Sequence, residues 1–172
     1  MANGANEKVN KRGKAVPILG AVLAVLVIAM VLALRLPSRK TAEFTPPPFE
    51  QNAVFGTPEV PEELGYSSPY KEGMTYRFSV CGNVMTEGNE AVVYLTNPAE
   101  NEVWMKLRVL DENGNVLGET GLIKPGEYVK SVALNTLPDA GTKISLKIMG
   151  YEPETYRSAG SVSLNTAIGG AT

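Results

Sequence analysis

The spacing of hydrophobic positions takes three successive forms along this chain. Val16 to Leu34 form nineteen consecutive residues without a charge. As a helix at about 1.5 Å per residue they span about 28 Å, close to the hydrocarbon thickness of a bilayer. Residues 36–73 then show neither helical nor strand periodicity, and Leu36 to Tyr70 hold seven of the twelve prolines. From Thr75 to Thr166 short runs alternate apolar and polar residues with the period of two that belongs to half-buried strands.

Within that last stretch the pattern predicts about seven strands. Tyr76 to Val80 alternates, and in Val103 to Val109 the residues Val103, Met105, Leu107 and Val109 share one face. Glu90 to Thr96 is a β-rich run halted by Asn97-Pro98. Asp111-Glu112-Asn113-Gly114 supplies a hairpin turn before Val116-Leu117. Pro125-Gly126 is a second turn signal, before the run Tyr128 to Leu134. Ile144, Leu146 and Ile148 form another alternating set, and Val162 with Leu164 the last. No stretch carries a helical stripe, and strands at this spacing separated by turn residues predict an all-β sandwich.

The stretch Leu122 to Leu134 (Leu-Ile-Lys-Pro-Gly-Glu-Tyr-Val-Lys-Ser-Val-Ala-Leu), followed by Leu137 and Gly141, resembles a turn-and-strand signature of bacterial immunoglobulin-like or fibronectin-like modules. Such modules occur in small single-pass surface proteins of uncharacterised role. The resemblance covers about half of the domain; it implies an immunoglobulin-like fold and a surface location, and transfers no active site. The Cys–Trp–Cys framework of antibody domains is missing from the sequence.

The apolar run decides the expected placement. It is longer than the roughly 7–15 residues of a cleavable signal, and its exit, Ala33 to Lys40, contains no Ala-x-Ala tripeptide. An uncleaved anchor is therefore expected, whereas cleavage would leave a mature chain starting near Arg35. Four basic residues (Lys8, Lys11, Arg12, Lys14) precede the run and three (Arg35, Arg39, Lys40) follow it. The bias is small, but long domains translocate largely regardless of charge, so the amino terminus is expected inside and the remainder outside. The expected plan is a basic cytoplasmic tail over 1–15, a transmembrane helix over 16–35 and a proline-rich stalk over 36–73. A β-sandwich over 74–166 and a flexible tail over 167–172 complete it.

Charge agrees with this plan. From Thr41 onward there are 17 acidic and 9 basic residues, a net of −8, while the first forty residues hold seven basic and one acidic. Basic residues suit anionic head groups, and an acidic outer part repels phosphate backbones, so nucleic acid is not an expected partner. The single cysteine, Cys81, permits no internal disulfide and leaves the domain to stand on its hydrophobic core. The chain contains no histidine, which removes Ser–His and Cys–His nucleophilic pairs and any ordinary zinc site. No enzymatic activity, metal or cofactor is expected. Asp111 to Asn115 superficially resembles a calcium loop. An EF-hand, however, places glycine sixth and glutamate twelfth, whereas here Gly114 stands fourth and Leu122 twelfth, and a hairpin turn explains the same residues.

Three sets of residues are candidates for interaction. If Met105 and Leu107 face the core, Trp104, Lys106 and Arg108 face outward, a pattern that suits a protein, a glycan or an acidic polymer. The competing expectation is that Trp104 is covered by a loop or by linker aromatics. Phe44, Pro46, Pro47, Pro48 and Phe49 form a proline-helix docking segment, against the plainer reading of a spacer whose far half leans on its own domain. Gly20 with Ala24, and Ala29 with Ala33, give small-xxx-small spacings that favour helix association. The expected role is a non-catalytic, membrane-anchored extracytoplasmic binding or scaffolding protein with protein partners in the cell envelope. The alternative is a regulatory or sensory subunit that passes an extracellular binding event through its helix.

Overall fold

The computed structural model describes residues 25–28, 30, 31, 44–67 and 75–169. The chain divides into two compact units, Met1–Phe44 and Thr45–Thr172. In the first, residues 25–28, 30 and 31 are helical, and Val25, Leu26, Val27, Ile28, Met30 and Val31 expose their apolar side chains. Among the described residues no helix is long and apolar enough to cross a membrane. Most of the expected span 16–35 lies outside the described residues, as do Gly20, Ala24, Ala29, Ala33 and the tail 1–15.

The second unit is mostly β, with eight strands among its described residues in two four-stranded antiparallel sheets. They are β1 (Val54–Phe55), β2 (Met85–Glu87), β3 (Glu90–Thr96), β4 (Trp104–Leu110), β5 (Val116–Glu119), β6 (Glu127–Ala133), β7 (Lys143–Tyr151) and β8 (Ser158–Ala167). One sheet has the order β1-β6-β3-β2 and the other β5-β4-β7-β8. The turns follow the predicted chemistry. Asp111 Oδ1 accepts from the backbone N–H groups of Asn113 and Asn115, closing the β4–β5 hairpin. Glu127 N–H donates to Lys124 O across Pro125-Gly126.

Alternation builds the core. Met105, Leu107 and Val109 of β4, Ile144, Leu146 and Ile148 of β7, and Ala91, Val93 and Leu95 of β3 point inward and are buried. Tyr76 packs directly over Gly150, where a Cβ would stand 2.4 Å from its ring, so only glycine lets the two approach. Burial of these side chains from water is the main force holding the sheets together.

Three sequence expectations are corrected, and one strand is added. The run Tyr76 to Val80 is buried apart from Arg77 but is no continuous strand: Ser79 pairs with Thr96, and Cys81 N–H donates to Val93 O, one residue out of register. The cause is a β-bulge in β3 between Val92 and Leu95, where Tyr94 adopts φ 45°. Three-residue β2 carries no sequence period long enough to be read.

The stalk boundary also moves. Residues 45–67 belong to the compact unit and wrap it. Leu122 N–H donates to Pro48 O and Glu50 N–H to Leu122 O, so Phe49 pairs in parallel beside the β5 end of its sheet. β1 then pairs with β6 in the other sheet. Beyond it Val60, Leu64 and Tyr66 pack with Cys81, Val92, Met85 and Tyr94 in a second apolar cluster. Phe49 and Tyr66 of this segment gain more by covering apolar surface than they would in a solvated spacer. At the other end, the expected flexible tail is ordered through Gly169. Ile168 is buried, pairs with Val84, and its N–H donates to Thr142 O.

Candidate functional site

β4 places Trp104, Lys106 and Arg108 on the outer face of its sheet, as alternation requires, but that face is not an open cationic surface. Lys106 is 6% exposed and its Nζ lies 2.7 Å from Glu119 Oε1; Arg108 Nε lies 2.8 Å from Glu119 Oε2. One carboxylate on the neighbouring β5 thus holds both cations. Burial pushes the Glu119 carboxyl up, but hydrogen bonds and charge from Lys106 and Arg108 outweigh it and leave it below its ordinary value. The expectation of two outward-reaching cations is corrected: the strand pairing that aligns Arg108 with Glu119 ties both to one carboxylate, which offsets one of their two charges.

Trp104 is half-buried and sits in an aromatic cluster. Its ring meets Phe49 edge-on at 4.8 Å between centroids and Tyr156 at 5.3 Å. Lys124 Nζ stands 4.6 Å from the Phe49 ring centroid on the cluster's rim. Tyr156 is set by the β7–β8 hairpin, in which Glu154 and Tyr156 both adopt positive φ and Tyr156 N–H donates to Glu152 O. Of the expected linker segment, Pro48 and Phe49 dock on their own domain, while Phe44 is 64% exposed.

The structure shows a second feature that sequence reading did not assemble: a cleft of about 520 Å³. It is lined by Phe55, Tyr66, Ser79, Thr96, Asn97 and Glu100, among others, drawn from five separate stretches of chain. Asn97, fully buried, knits its floor. Its Nδ2 donates to Val103 O (2.8 Å) and Ile123 O (3.0 Å), and its Oδ1 accepts from Asn101 Nδ2. Tyr66 Oη and Thr96 Oγ1 are 2.5 Å apart on one wall. Phe55 stands over Gly126 and is 79% exposed. Gly126, at φ +82°, meets two demands: its backbone is left-handed, and a Cβ would lie 2.7 Å from the Phe55 ring. The one available signal was Phe55 itself, an aromatic in a segment with no use for an exposed ring.

The cleft presents an apolar ring, hydroxyls, amides and one carboxylate, a lining suited to recognition through packing and hydrogen bonds. At the opposite end of β4 the Asp111 carboxylate is used inside its own turn. Hydrogen bonds from the Asn115 side chain and backbone hold its pKa below the ordinary carboxylate value. Among the described residues no group of three or more potential ligands is placed to hold a metal ion. Cys81 is fully buried, and burial pushes its thiol up to about 11.

No family model matches the chain, and no curated protein does. Among solved structures it is similar to the crystal structure of Ruminococcus gnavus beta-glucuronidase in complex with uronic isofagomine, at 20% identity and a TM-score of 0.36. A complex of that enzyme with an N1-substituted uronic isofagomine gives the same identity and score. Each match covers 53% of this chain, which spans only 14% and 15% of those chains.

Proposed function

We propose that this chain is a non-catalytic binding or scaffolding protein of a cell-envelope or surface assembly, held by a single membrane-spanning helix with its β-domain outside. The observation that carries this reading is the Phe55 cleft. A large aromatic ring left 79% exposed at a cleft that also holds hydroxyls, amides and a carboxylate, on a strand hydrogen-bonded to β6, supports an interaction site there. The anchor rests on the uncharged run Val16 to Leu34, its basic flank, and the exposed apolar residues of its helical portion.

The immunoglobulin-like or fibronectin-like assignment is part of the proposal. The order β5-β4-β7-β8 corresponds to C′-C-F-G and β6-β3-β2 to E-B-A in such sandwiches. Val84 pairing in parallel with Ile168 links the first strand region to the last, so both sheets share that edge. The wrapped segment then supplies β1 beside β6, outside the seven-strand frame.

A photo-crosslinking residue at position 55, carried by the full chain in intact host cells, tests the site. A discrete adduct is expected from position 55 and none from position 112, at the far end of β4. Identical adducts from both positions, or none from position 55, would remove the cleft as the binding site.

A further inference from the structure

We propose that the open edge of β8 pairs with β8 of a second copy of this chain, antiparallel about a twofold axis through Ser163. Two four-stranded sheets would thereby become one of eight strands. The starting observation is the inequality of the sheet edges. β1, β2 and β5 are edge strands of two, three and four residues, whereas β8 has ten. Soluble folds protect long edges with lysine, proline, bulges or covering loops, because exposed backbone N–H and C=O groups template pairing. β8, Ser158 to Ala167, contains no charged residue and no proline.

Both ends of this edge are occupied. Thr75 Oγ1 donates to Ala159 O and Tyr76 Oη to Gly160 O at one end. At the other, Thr166 Oγ1 donates to Gly82 O, and Ile168 pairs with Val84. Between them, from Ser161 to Asn165, β8 has hydrogen-bonding partners only on β7 among the described residues. Among the described residues the unpaired stretch is thus five residues long, bounded at both ends and paired on its inner side with β7.

The side chains of that stretch choose the occupant. Ser161, Val162, Ser163, Leu164 and Asn165 read polar, apolar, polar, apolar, polar, a pattern symmetric about Ser163. Antiparallel pairing through Ser163 sets Ser163 against its own copy, Val162 against Leu164, and Ser161 against Asn165. Ser161, Ser163 and Asn165 are exposed, so their small polar side chains would form a hydrogen-bonding ladder on the outer face. Val162 and Leu164 are packed on the core but only half-buried, with no strand among the described residues flanking them on the open side; the second copy supplies that flank. A foreign strand could satisfy the backbone, but this chain's own β8 also matches every side chain.

Charge does not oppose the contact. Lys147 pairs with Ser163 on β7, so the two copies of Lys147 would lie three strand spacings apart, roughly 14 Å. That exceeds the screening length of about 8 Å at physiological salt. A five-residue ladder buries less than the roughly 1,200 Å² of a stable interface, so the pairing is reversible and concentration-dependent.

Site-directed disulfide formation in the full chain in intact host cells tests this inference, independently of what the Phe55 cleft binds. Native Cys81 is buried and stays silent. Ser163→Cys is expected to give a dimer under mild oxidation at least about tenfold faster than Glu112→Cys, since facing Cβ atoms lie about 5 Å apart. Co-expressed Ser161→Cys and Asn165→Cys chains are expected to cross-link to each other, while Ser161→Cys alone, with thiols roughly 14 Å apart, does not. Adding Ser163→Lys to the mixed pair should abolish the cross-link by opposing two cations, with the unfolding midpoint unchanged. Equal rates at positions 163 and 112, equal rates for 161–161 and 161–165, or an adduct of another protein's mass would each overturn the proposal. Should Ser163→Cys fail to accumulate, the 161–165 mixture decides the same question.

Discussion

Replacing Phe49 with alanine separates a wrapped domain from a domain on a free stalk. Phe49 is 39% exposed, so about three-fifths of its surface is covered. Taking roughly 200 Å² for a phenylalanine, about 120 Å² is withdrawn from water, worth at most about 3 kcal/mol at 25 cal/mol per Å². Alanine keeps the Cβ share, while loss of the edge-on contact with Trp104 adds a further ~0.5–1.5 kcal/mol. The expected destabilisation is about 2–3 kcal/mol. The chain's only tryptophan is Trp104, so equilibrium denaturation followed by tryptophan fluorescence reads both stability and the local contact. Phe49→Ala should lower the midpoint and shift native-state emission to the red. Phe55→Ala, at a ring 79% exposed, should change stability by less than about 0.5 kcal/mol and leave the emission alone. If the two variants behave alike, residues 45–67 do not clasp the domain as described.

Three further outcomes are expected. Glu119→Gln should destabilise by about 1–2 kcal/mol at neutral pH, because the nearly buried Lys106 loses its carboxylate. Since the Glu119 pKa is lowered by folding, its contribution is present above the ordinary carboxylate value near 4.5 and is lost as pH falls through the folded value. Acid unfolding of the variant should therefore be less steep in that range. Cys81 should react with maleimide only through opening of the fold; its pKa is raised from 9.0 to about 11, so folding holds its proton and stability should fall above about pH 9, by roughly 2–3 kcal/mol at full effect. A labelling rate at neutral pH equal to that of the unfolded chain would contradict the burial of Cys81.

What could be read from the sequence was whatever depends on neighbours along the chain. The inward set Met105, Leu107 and Val109 and the turns at Asn113-Gly114 and Pro125-Gly126 stand where alternation and turn chemistry put them. Long-range pairing was not legible. Lys106 and Arg108 read as free cations because nothing local announces that Glu119 aligns with them across the β4–β5 pair. The linker aromatics and Trp104 read as possible partners of each other, and Phe49 does meet Trp104, but nothing local singles out Phe49 among them or pairs it with Leu122. The bulge at Tyr94 has no glycine to advertise its positive φ, so the broken pairing of residues 79–81 stayed hidden. The Phe55 cleft draws on five stretches of chain and has no single motif.

The proposed function turns on the β-domain lying outside the membrane, and a thiol can report this directly. Glu112 sits in the β4–β5 turn with its side chain 64% exposed, while native Cys81 is buried. Intact cells carrying Glu112→Cys would be treated with a membrane-impermeant maleimide before and after permeabilisation, beside cells carrying the unaltered chain. An outside domain requires labelling of Glu112→Cys in intact cells and none of the unaltered chain under either condition. Labelling of Glu112→Cys only after permeabilisation would put the domain in the cytoplasm and contradict the proposed role.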